Sequence, residues 1–235
     1  MKNNLSIFKN NLTVVILCGG KGQRLRPLTY ELPKPLIKIK KKTILEYIIN
    51  HFLRFKIKNI VIASGYKHSM LSSFIGQKYK SNNIKVINTG LKSNILQRIK
   101  KINKNSNNHF LVCYGDTLVD INLDKLINFY LANNNKVILS SYELKSSFGI
   151  LNIDKNNFVK QFKEKPNLGI WFNIGYIIFS KNYQKILKKF HKFENFLDYC
   201  SKKRLMKSFK HKGKHITINT ITELENAKLE INKFL

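Results

Sequence analysis

The feature that most constrains the fold is an alternation of short apolar runs with segments of helical periodicity over residues 12–145. The apolar runs are "LTVVILC", "NIVIAS", "IKVIN", "HFLVCYG" and "KVILSSYEL". Helix-like segments separate them at about 43–56, 68–77, 91–103 and 122–133. Strands joined through helices in this order form βαβ units around a mostly parallel sheet. The sequence therefore predicts an α/β fold of the Rossmann-like, doubly wound type.

The rhythm changes after about residue 147. The runs "FGILNID", "NFVKQFKE" and "IWFNIGYIIFS" are joined by short turns, which predicts an antiparallel insert or annex on the same sheet. Helices are expected near 181–190, near 194–204 and from about 221, the last opened by a capping box of Thr222 and Glu225. Neither an internal repeat nor a clear linker is visible. We expect one domain over 1–235, with its halves at about 12–145 and 146–235.

The chain carries a formal charge of +30, and lysine supplies most of the excess. The lysines are spread along the whole chain, which indicates a compositional bias. A nucleic-acid surface would instead cluster its basic residues around a reading helix or exposed aromatic side chains. The charge should attract anions without specificity. We predict no specific nucleic-acid partner.

Hydropathy and cysteine usage indicate where the protein resides. No apolar run reaches the roughly 18–20 residues that cross a bilayer, so no membrane association is expected. The opening "MKNNLSIFKNN" lacks an apolar signal region and reads as a short frayed extension. Cys18, Cys113 and Cys200 form no CxxC or CxxH pair, which is typical of reduced thiols in a cytoplasmic protein. We interpret Cys18 and Cys113 as small buried apolar residues rather than nucleophiles.

The segment "LCGGKGQRLRPLTYELPKPL" at 17–36 lies between the first strand and the first long helix. Open α/β sheets bind ligands at this end of their strands. The segment is neither a P-loop nor a dinucleotide fingerprint, because it lacks GK[ST] and has Leu25 in place of the third glycine. Its backbone amides can lie against phosphates. Arg24 offers a bidentate cation and Lys34, between two prolines, a point charge on a stiff backbone. Together they predict a polyphosphate site.

These residues resemble the signature of the sugar-1-phosphate nucleotidyltransferases, and the resemblance continues almost to the end of the chain. "YGDTLVDINLDKLINFY" is similar to the family's metal-binding aspartate segment, "FGILNID…VKQFKEKPN…WFNIGYIIF" to its sugar-binding half, and "INTITELENAKLE" to its closing segment. Within the family, "GYKHSMLSSFIG", "NTGLKSNILQRIKKI" and "CYGDTLVDINL" look most like glucose-1-phosphate cytidylyltransferases. The middle stretch departs from that pattern: Asn88 replaces an aspartate and "NILQR" replaces a glycine-rich loop.

The resemblance implies roles for individual residues. Arg24 and Lys34 would be catalytic, and Asp116 and Asn219 would hold Mg²⁺. The nucleotide-binding set would be Leu17, Gly19, Gly20, Gly22, Arg24, Thr89, Gly90, Arg98 and Asp116. The sugar-phosphate set would be Gly149, Glu164, Lys165 and Asn173. The partners would be a nucleoside triphosphate, with CTP favoured, and a sugar 1-phosphate; a homo-oligomer is possible.

Plainer interpretations stay open for several of these residues. Asp116 could merely cap a turn after its strand, and Glu164-Lys165 could belong to an ordinary surface turn. Gly149 and Asn173 could be strand irregularities. The family has an aspartate where this chain has Asn219, so a carboxylate is missing from the expected metal site.

We expect an enzyme that transfers a nucleotidyl group to a sugar 1-phosphate and releases pyrophosphate, with CDP-glucose as product. The alternatives are a guanylyltransferase for mannose- or heptose-1-phosphate, and a catalytically weakened paralogue that only binds these ligands.

Overall fold

The computed structural model describes residues 2–102 and 109–233. The strands are β1 (Leu12–Cys18), β2 (Lys38–Ile39), β3 (Lys42–Thr43), β4 (Ile60–Ser64), β5 (Ile84–Asn88), β6 (His109–Tyr114), β7 (Thr117–Val119), β8 (Val137–Lys145), β9 (Ile150–Ile153), β10 (Val159–Lys163), β11 (Asn167–Ser180), β12 (Met206–His211) and β13 (His215–Thr217). The α-helices are α1 (Lys2–Asn10), α2 (Leu28–Glu31), α3 (Ile44–Arg54), α4 (His68–Lys78), α5 (Ile95–Ile102), α6 (Leu123–Ala132), α7 (Gln184–Lys188), α8 (Phe193–Lys202) and α9 (Ile221–Glu230).

A seven-stranded sheet with the order β12-β8-β11-β6-β1-β4-β5 forms the centre. Strand β1 pairs in parallel with β4 and β6, β4 with β5, and β8 with β12. Strand β11 runs antiparallel between β6 and β8. The sheet is therefore mixed and mostly parallel, which confirms the predicted α/β class.

Apolar side chains cover both faces of this sheet. In β1, Val14 and Ile16 belong to a core shared with α3, α6 and α9, whereas Val15 packs on the other face with α5 and α8. A strand buried on both faces needs a continuous apolar run, which explains why "LTVVILC" shows no polar alternation. Because helices cover both faces, the loops at the carboxyl ends of the strands are where a ligand can reach the sheet.

The predicted helices agree with the structure to within a few residues, with one late start. Helix α5 begins at Ile95 rather than near 91, because Asn94 and Gln97 exchange backbone-to-side-chain hydrogen bonds of 2.8 and 2.9 Å that fix its first turn. The predicted end at 103 lies outside the described residues. The segment at 181–190 forms a 3₁₀ turn followed by the short helix α7.

The expectation of a frayed amino-terminal extension is wrong, because this segment forms α1. Phe8 is buried, and its ring lies 4.7 Å from that of His109 and 5.8 Å from that of Tyr130. Lys9 pairs with Asp124 of α6 at 2.5 Å. These contacts dock the helix against the protein and supply the ordering that the local sequence did not reveal.

The expectation of antiparallel strands after residue 147 is confirmed, but only β11 joins the central sheet; the placement of β9 and β10 on the same sheet is wrong. These two strands form a separate two-stranded sheet. The physical reason is that β8 already has β11 on one side and β12 on the other, so it offers no free edge. Strand β12, "MKSFKH", was not predicted at all. Its lysines interrupt the apolar run by which the other strands were predicted. Lysine is common on edge strands, where it discourages pairing with further strands.

The predicted capping box of α9 is displaced by two residues. The hydroxyl of Thr220, not Thr222, accepts a hydrogen bond of 3.2 Å from the backbone N–H of Glu223. The carboxylate of Glu223 in turn accepts one of 2.6 Å from the backbone N–H of Asn219. The start of this helix therefore fixes the backbone of a predicted metal ligand.

Candidate functional site

The glycine loop after β1 is shaped by one residue in a left-handed conformation. Gly22 has φ +63°, and a Cβ there would lie 3.1 Å from the Lys34 side chain. Its carbonyl accepts a hydrogen bond of 3.0 Å from the Thr29 hydroxyl. The chain then enters a 3₁₀ turn at Gln23–Leu25, in which Leu25 is fully buried. Arg24 is thereby carried on an anchored turn.

Lys34 begins a second 3₁₀ turn, Lys34–Leu36, after Pro33. Pro35 and Leu36 are buried, so the backbone is held in place on both sides of the lysine. The side chain is mostly covered, with 11% of it exposed. This agrees with the prediction of a cation on a stiffened backbone.

Four of the predicted residues meet in one cluster. The Lys34 Nζ donates to Asp116 Oδ2 at 2.7 Å and to Asn219 Oδ1 at 3.1 Å. An Arg24 guanidinium nitrogen donates to the same Asn219 oxygen at 3.1 Å. Asp116 follows β6, and Asn219 follows β13 just before α9. The cluster thus joins the glycine loop to the carboxyl end of β6 and to the closing segment.

The cluster lies in a cleft of about 650 Å³. The predicted residues that line this cleft are Leu17, Gly19, Gly20, Gly22, Arg24, Lys34, Arg98, Asp116 and Asn219. The two cations and one carboxylate of the cluster suit a ligand with several negative charges.

Arg98 lines the cleft, although it is only 5% exposed. Its guanidinium donates to Ser64 O at 3.0 Å, to Thr89 Oγ1 at 2.5 Å and to Gly19 O at 3.2 Å. Burial lowers its pKa from the ordinary value. These contacts tie together the carboxyl ends of β1, β4 and β5, so the arginine is engaged by the protein itself. Thr89 is buried beside it and does not line the cleft; Gly90 follows with φ +100°.

The predicted sugar-binding residues lie apart from the cluster. Gly149 contacts the hairpin of β9 and β10, because a Cβ on it would lie 2.5 Å from the Phe162 ring and 3.1 Å from Glu164 Oε2. Glu164 and Lys165 follow β10 with 61% and 58% of their side chains exposed, and neither lines the cleft. Asn173 approaches it indirectly, since its amide donates to the Tyr114 hydroxyl at 3.3 Å. Their roles stay predictions.

One wall of the cleft was not predicted from the sequence. It combines Lys192, Phe193 and Glu194 at the start of α8 with Ser93, Asn94 and Ile95 at the start of α5. The Asn94 amide donates to His191 O at 2.9 Å, which joins the two helix starts. This contact spans 97 positions of the chain, and the local pattern at 191–194 carries no signal for it.

Tyr114 and Cys18 also line the cleft. Burial, and then the charge of Asp116, raise the pKa of the Cys18 thiol. Burial likewise raises the pKa of Tyr114. Because the thiolate is the nucleophilic form of cysteine, Cys18 is suited to packing rather than to attack. All three cysteines are buried and free, as expected for the first two.

The side chains of Asp116 and Asn219 have the type of donor atom that Mg²⁺ prefers. Each offers a hard oxygen, and both oxygens lie within 3.1 Å of a single cationic atom, Lys34 Nζ. Mg²⁺ commonly takes one or two carboxylates and completes its shell with substrate phosphates. No group of three or more His, Cys, Asp or Glu side chains suited to a metal occurs within 2–102 and 109–233. The residues fit Mg²⁺ when phosphate oxygens supply the remaining positions.

Within the described part of the chain, no helix is both long and apolar enough to cross a membrane.

The family model described as "Nucleotidyl transferase" matches residues 13–218. The chain is 30% identical over 162 residues to D-glycero-alpha-D-manno-heptose 1-phosphate guanylyltransferase of Campylobacter jejuni, covering 66% of this chain and 69% of the relative. It is 27% identical over 192 residues to glucose-1-phosphate cytidylyltransferase of Salmonella typhi, covering 71% and 74%.

The crystal structure of HddC from Yersinia pseudotuberculosis matches with a TM-score of 0.69 and 26% identity, covering 93% of this chain and 99% of that one. The family match extends from the second residue of β1 to the residue before Asn219 and thus includes the glycine loop, Lys34 and Asp116. The chain belongs to the nucleotidyl transferase family, as a sugar-1-phosphate nucleotidyltransferase.

Proposed function

We propose that the protein transfers a nucleotidyl group from CTP to glucose 1-phosphate and so forms CDP-glucose and pyrophosphate. The observation that carries the proposal is the convergence of Arg24, Lys34, Asp116 and Asn219 behind a glycine loop in one cleft. The choice of CTP rests on the likeness of "GYK", "NTGL" and "YGDTLVD" to cytidylyltransferases. The nucleotide would bind the half at about 12–145 and the sugar the half at 146–235, within one domain.

The reaction needs alignment of two anions more than proton transfer. A phosphate oxygen of the sugar 1-phosphate forms a bond to the α-phosphorus of the triphosphate, and the bond from that phosphorus to the oxygen leading to the β-phosphorus breaks. The electron pair leaves with pyrophosphate. Because the second pKa of a phosphate monoester is about 6, the attacking group is already mostly dianionic at neutral pH. No general base is required, and none of the cleft residues needs to serve as one.

The chain's own residues would hold the phosphates and balance their charge. Amides of the loop at Gly19, Gly20 and Gly22 would lie against the triphosphate, and Arg24 would bind its oxygens in a bidentate manner. Lys34 would neutralise charge that develops during transfer. Mg²⁺, held by Asp116 and Asn219 together with substrate oxygens, would supply further positive charge to the phosphates.

On the sugar side, Glu164 would accept hydrogen bonds from sugar hydroxyls and Lys165 would bind the sugar phosphate. Gly149 and Asn173 would complete that pocket. Thr89, Gly90 and Arg98 would support the nucleotide side, the arginine by holding the loop. We further propose a cytoplasmic location, a role in supplying surface polysaccharide synthesis, and assembly into a homo-oligomer.

Pyrophosphate release tests the proposal directly. The purified chain is incubated with Mg²⁺, each of CTP, GTP, UTP and dTTP, and a panel of sugar 1-phosphates. The highest rate is expected with CTP and glucose 1-phosphate. The highest rate with GTP and a mannose- or heptose-1-phosphate would replace the proposal with the guanylyltransferase alternative, which the 30% identity to the Campylobacter jejuni enzyme favours.

Release of no pyrophosphate with any pair would contradict an active enzyme. Calorimetric binding of a triphosphate in that case would identify a paralogue that has kept the ligand and lost the reaction. The substitution of the expected aspartate by Asn219 is the feature that favours this second alternative.

A further inference from the structure

The Lys34 ammonium contacts both predicted metal ligands. It lies 2.7 Å from Asp116 Oδ2 and 3.1 Å from Asn219 Oδ1. These are the two oxygens that fit a divalent ion. Because the lysine side chain is only 11% exposed, the contact is not a loose surface pair. A metal ion bound to both oxygens would need the place that the ammonium takes.

The charges of the cluster make this competition unequal. Asp116 supplies one negative charge, Asn219 contributes a neutral amide, and Arg24 and Lys34 each supply a positive charge. The cluster by itself is therefore net positive. Two cations a few ångströms from a divalent ion repel it, and the repulsion is stronger than in bulk water where the site is partly covered. A triphosphate reverses the balance, because it brings several negative charges and an alternative partner for the ammonium.

We propose that Lys34 acts as an exchange residue, which holds the metal position between Asp116 and Asn219 until a polyphosphate draws its ammonium away. This proposal rests on the function proposed above and concerns the order of binding at the same site. It follows that metal and nucleotide bind with strong mutual dependence. By linkage, each must raise the affinity for the other by the same factor. The neutral Asn219 strengthens this dependence, since a second carboxylate would hold metal even without nucleotide.

Mn²⁺ serves as the probe, with the free ion counted by electron paramagnetic resonance and no sugar 1-phosphate present. The wild-type protein without nucleotide should bind Mn²⁺ weakly, and addition of CTP should tighten binding. Lys34→Met without nucleotide should bind Mn²⁺ about tenfold more tightly than wild type, or better, because the competing cation is gone. Lys34→Gln should give the same gain, so the result does not depend on how one variant folds; circular dichroism checks both.

The matched control is Lys21→Met. Lys21 lies on the same loop, is exposed and does not line the cleft, so its loss removes an equal charge without freeing Asp116. Its Mn²⁺ affinity should equal that of wild type. The double variant Lys34→Met with Asp116→Asn should lose the gain, which would locate the ion at the proposed oxygens.

The outcomes separate this inference from the proposed function. Mn²⁺ affinity that is unchanged in both Lys34 variants, or raised equally in Lys21→Met, would overturn the exchange role even if the enzyme releases pyrophosphate normally. Tight Mn²⁺ binding by wild type without nucleotide would do the same. Failure of the wild type to bind CTP, GTP, UTP or dTTP, with no pyrophosphate released, would overturn the proposed function and the exchange role together.

Discussion

The ammonium of Lys34 lies 2.7 Å from a carboxylate oxygen of Asp116, although 82 positions separate the two residues in the chain. The contact joins the loop after β1 to the turn after β6, which are neighbouring parallel strands. Because both loops leave the carboxyl ends of their strands, the sheet brings the two side chains to one edge. The order of the strands therefore brings residues that are distant in the sequence together in one site.

Removal of either loop cation should slow the reaction. We expect Lys34→Ala and Arg24→Ala each to lower turnover by about 10²-fold or more, because each removes a positioned charge from the reacting phosphates. Pyrophosphate release at saturating substrate measures the effect. Lys21→Ala is the control, since this exposed lysine lies on the same loop outside the cleft lining. Rates near wild type in both test variants would remove the polyphosphate role of the loop.

Asn219→Asp should restore a carboxylate beside the triphosphate. A divalent ion gains about twice as much from the added charge as the Lys34 ammonium does, so the half-saturating Mg²⁺ concentration should fall. Turnover should rise or hold. Asp116→Asn should nearly abolish activity. A Mg²⁺ titration of pyrophosphate release compares the variants with wild type, and an unchanged curve for Asn219→Asp would show that this residue does not take part in metal binding.

Loss of the Arg98 guanidinium should destabilise the fold around the site. Arg98→Met removes three hydrogen bonds to Gly19, Ser64 and Thr89, and we expect a fall of about 2–3 kcal/mol in the free energy of unfolding. Arg98→Lys keeps a charge without the planar fork and should recover only part of the loss. Urea titration gives the stability. Arg204→Lys, at an exposed arginine, should change little. Equal free energies of unfolding for Arg98→Met and wild type would contradict a stabilising role of the three hydrogen bonds of Arg98.

Two histidines should make the protein acid-sensitive. Burial, followed by the charge of Arg54, lowers the pKa of His51 from 6.5 to about 4, and burial lowers that of His215 to about 4. The folded state then binds fewer protons than the unfolded chain below pH 6.5. The free energy of unfolding should therefore be highest above about pH 6.5. It should fall as the pH drops towards 4, by up to about 1.4 kcal/mol per pH unit for each histidine.

The melting temperature of wild type between pH 7.5 and about 4.5 measures this loss. His51→Gln and His215→Gln should each show a shallower decline, whereas the exposed His191→Gln should follow wild type. Parallel curves for all four proteins would assign the acid sensitivity to other groups.

Local pattern was enough to predict the features set by neighbouring residues. Fewer than 25 positions contain the apolar run of β1, the glycine loop after it and the proline-flanked Lys34. The fold class followed from the alternation of apolar runs with helical segments. The resemblance added Asp116 and Asn219. What escaped prediction depends on distant partners: α1 is ordered by His109 and Tyr130, and β12 is a strand because β8 lies beside it.

The cleft wall at 192–194 shows the same limit. Lys100 donates to Phe190 O at 2.8 Å and Asn94 to His191 O at 2.9 Å, and these two contacts bring the start of α8 to the site. Neither donor is distinguishable from a solvated polar side chain in the sequence alone. The separate hairpin of β9 and β10 was missed for a topological reason, since β11 and β12 occupy both edges of β8.

Gly19 and Arg98, 79 positions apart, share one small volume: a Cβ on the glycine would lie 1.7 Å from a guanidinium nitrogen of the arginine. This guanidinium is buried and donates to three acceptors, so it cannot move aside at little cost. The requirement for glycine at position 19 therefore comes from a distant side chain, because the backbone of Gly19 is not in the left-handed region. The two positions should covary among related sequences, with alanine or serine admitted at 19 only where a smaller residue stands at 98. Directed evolution that begins from Arg98→Ala should accept Gly19→Ala readily, whereas the wild-type background should reject it.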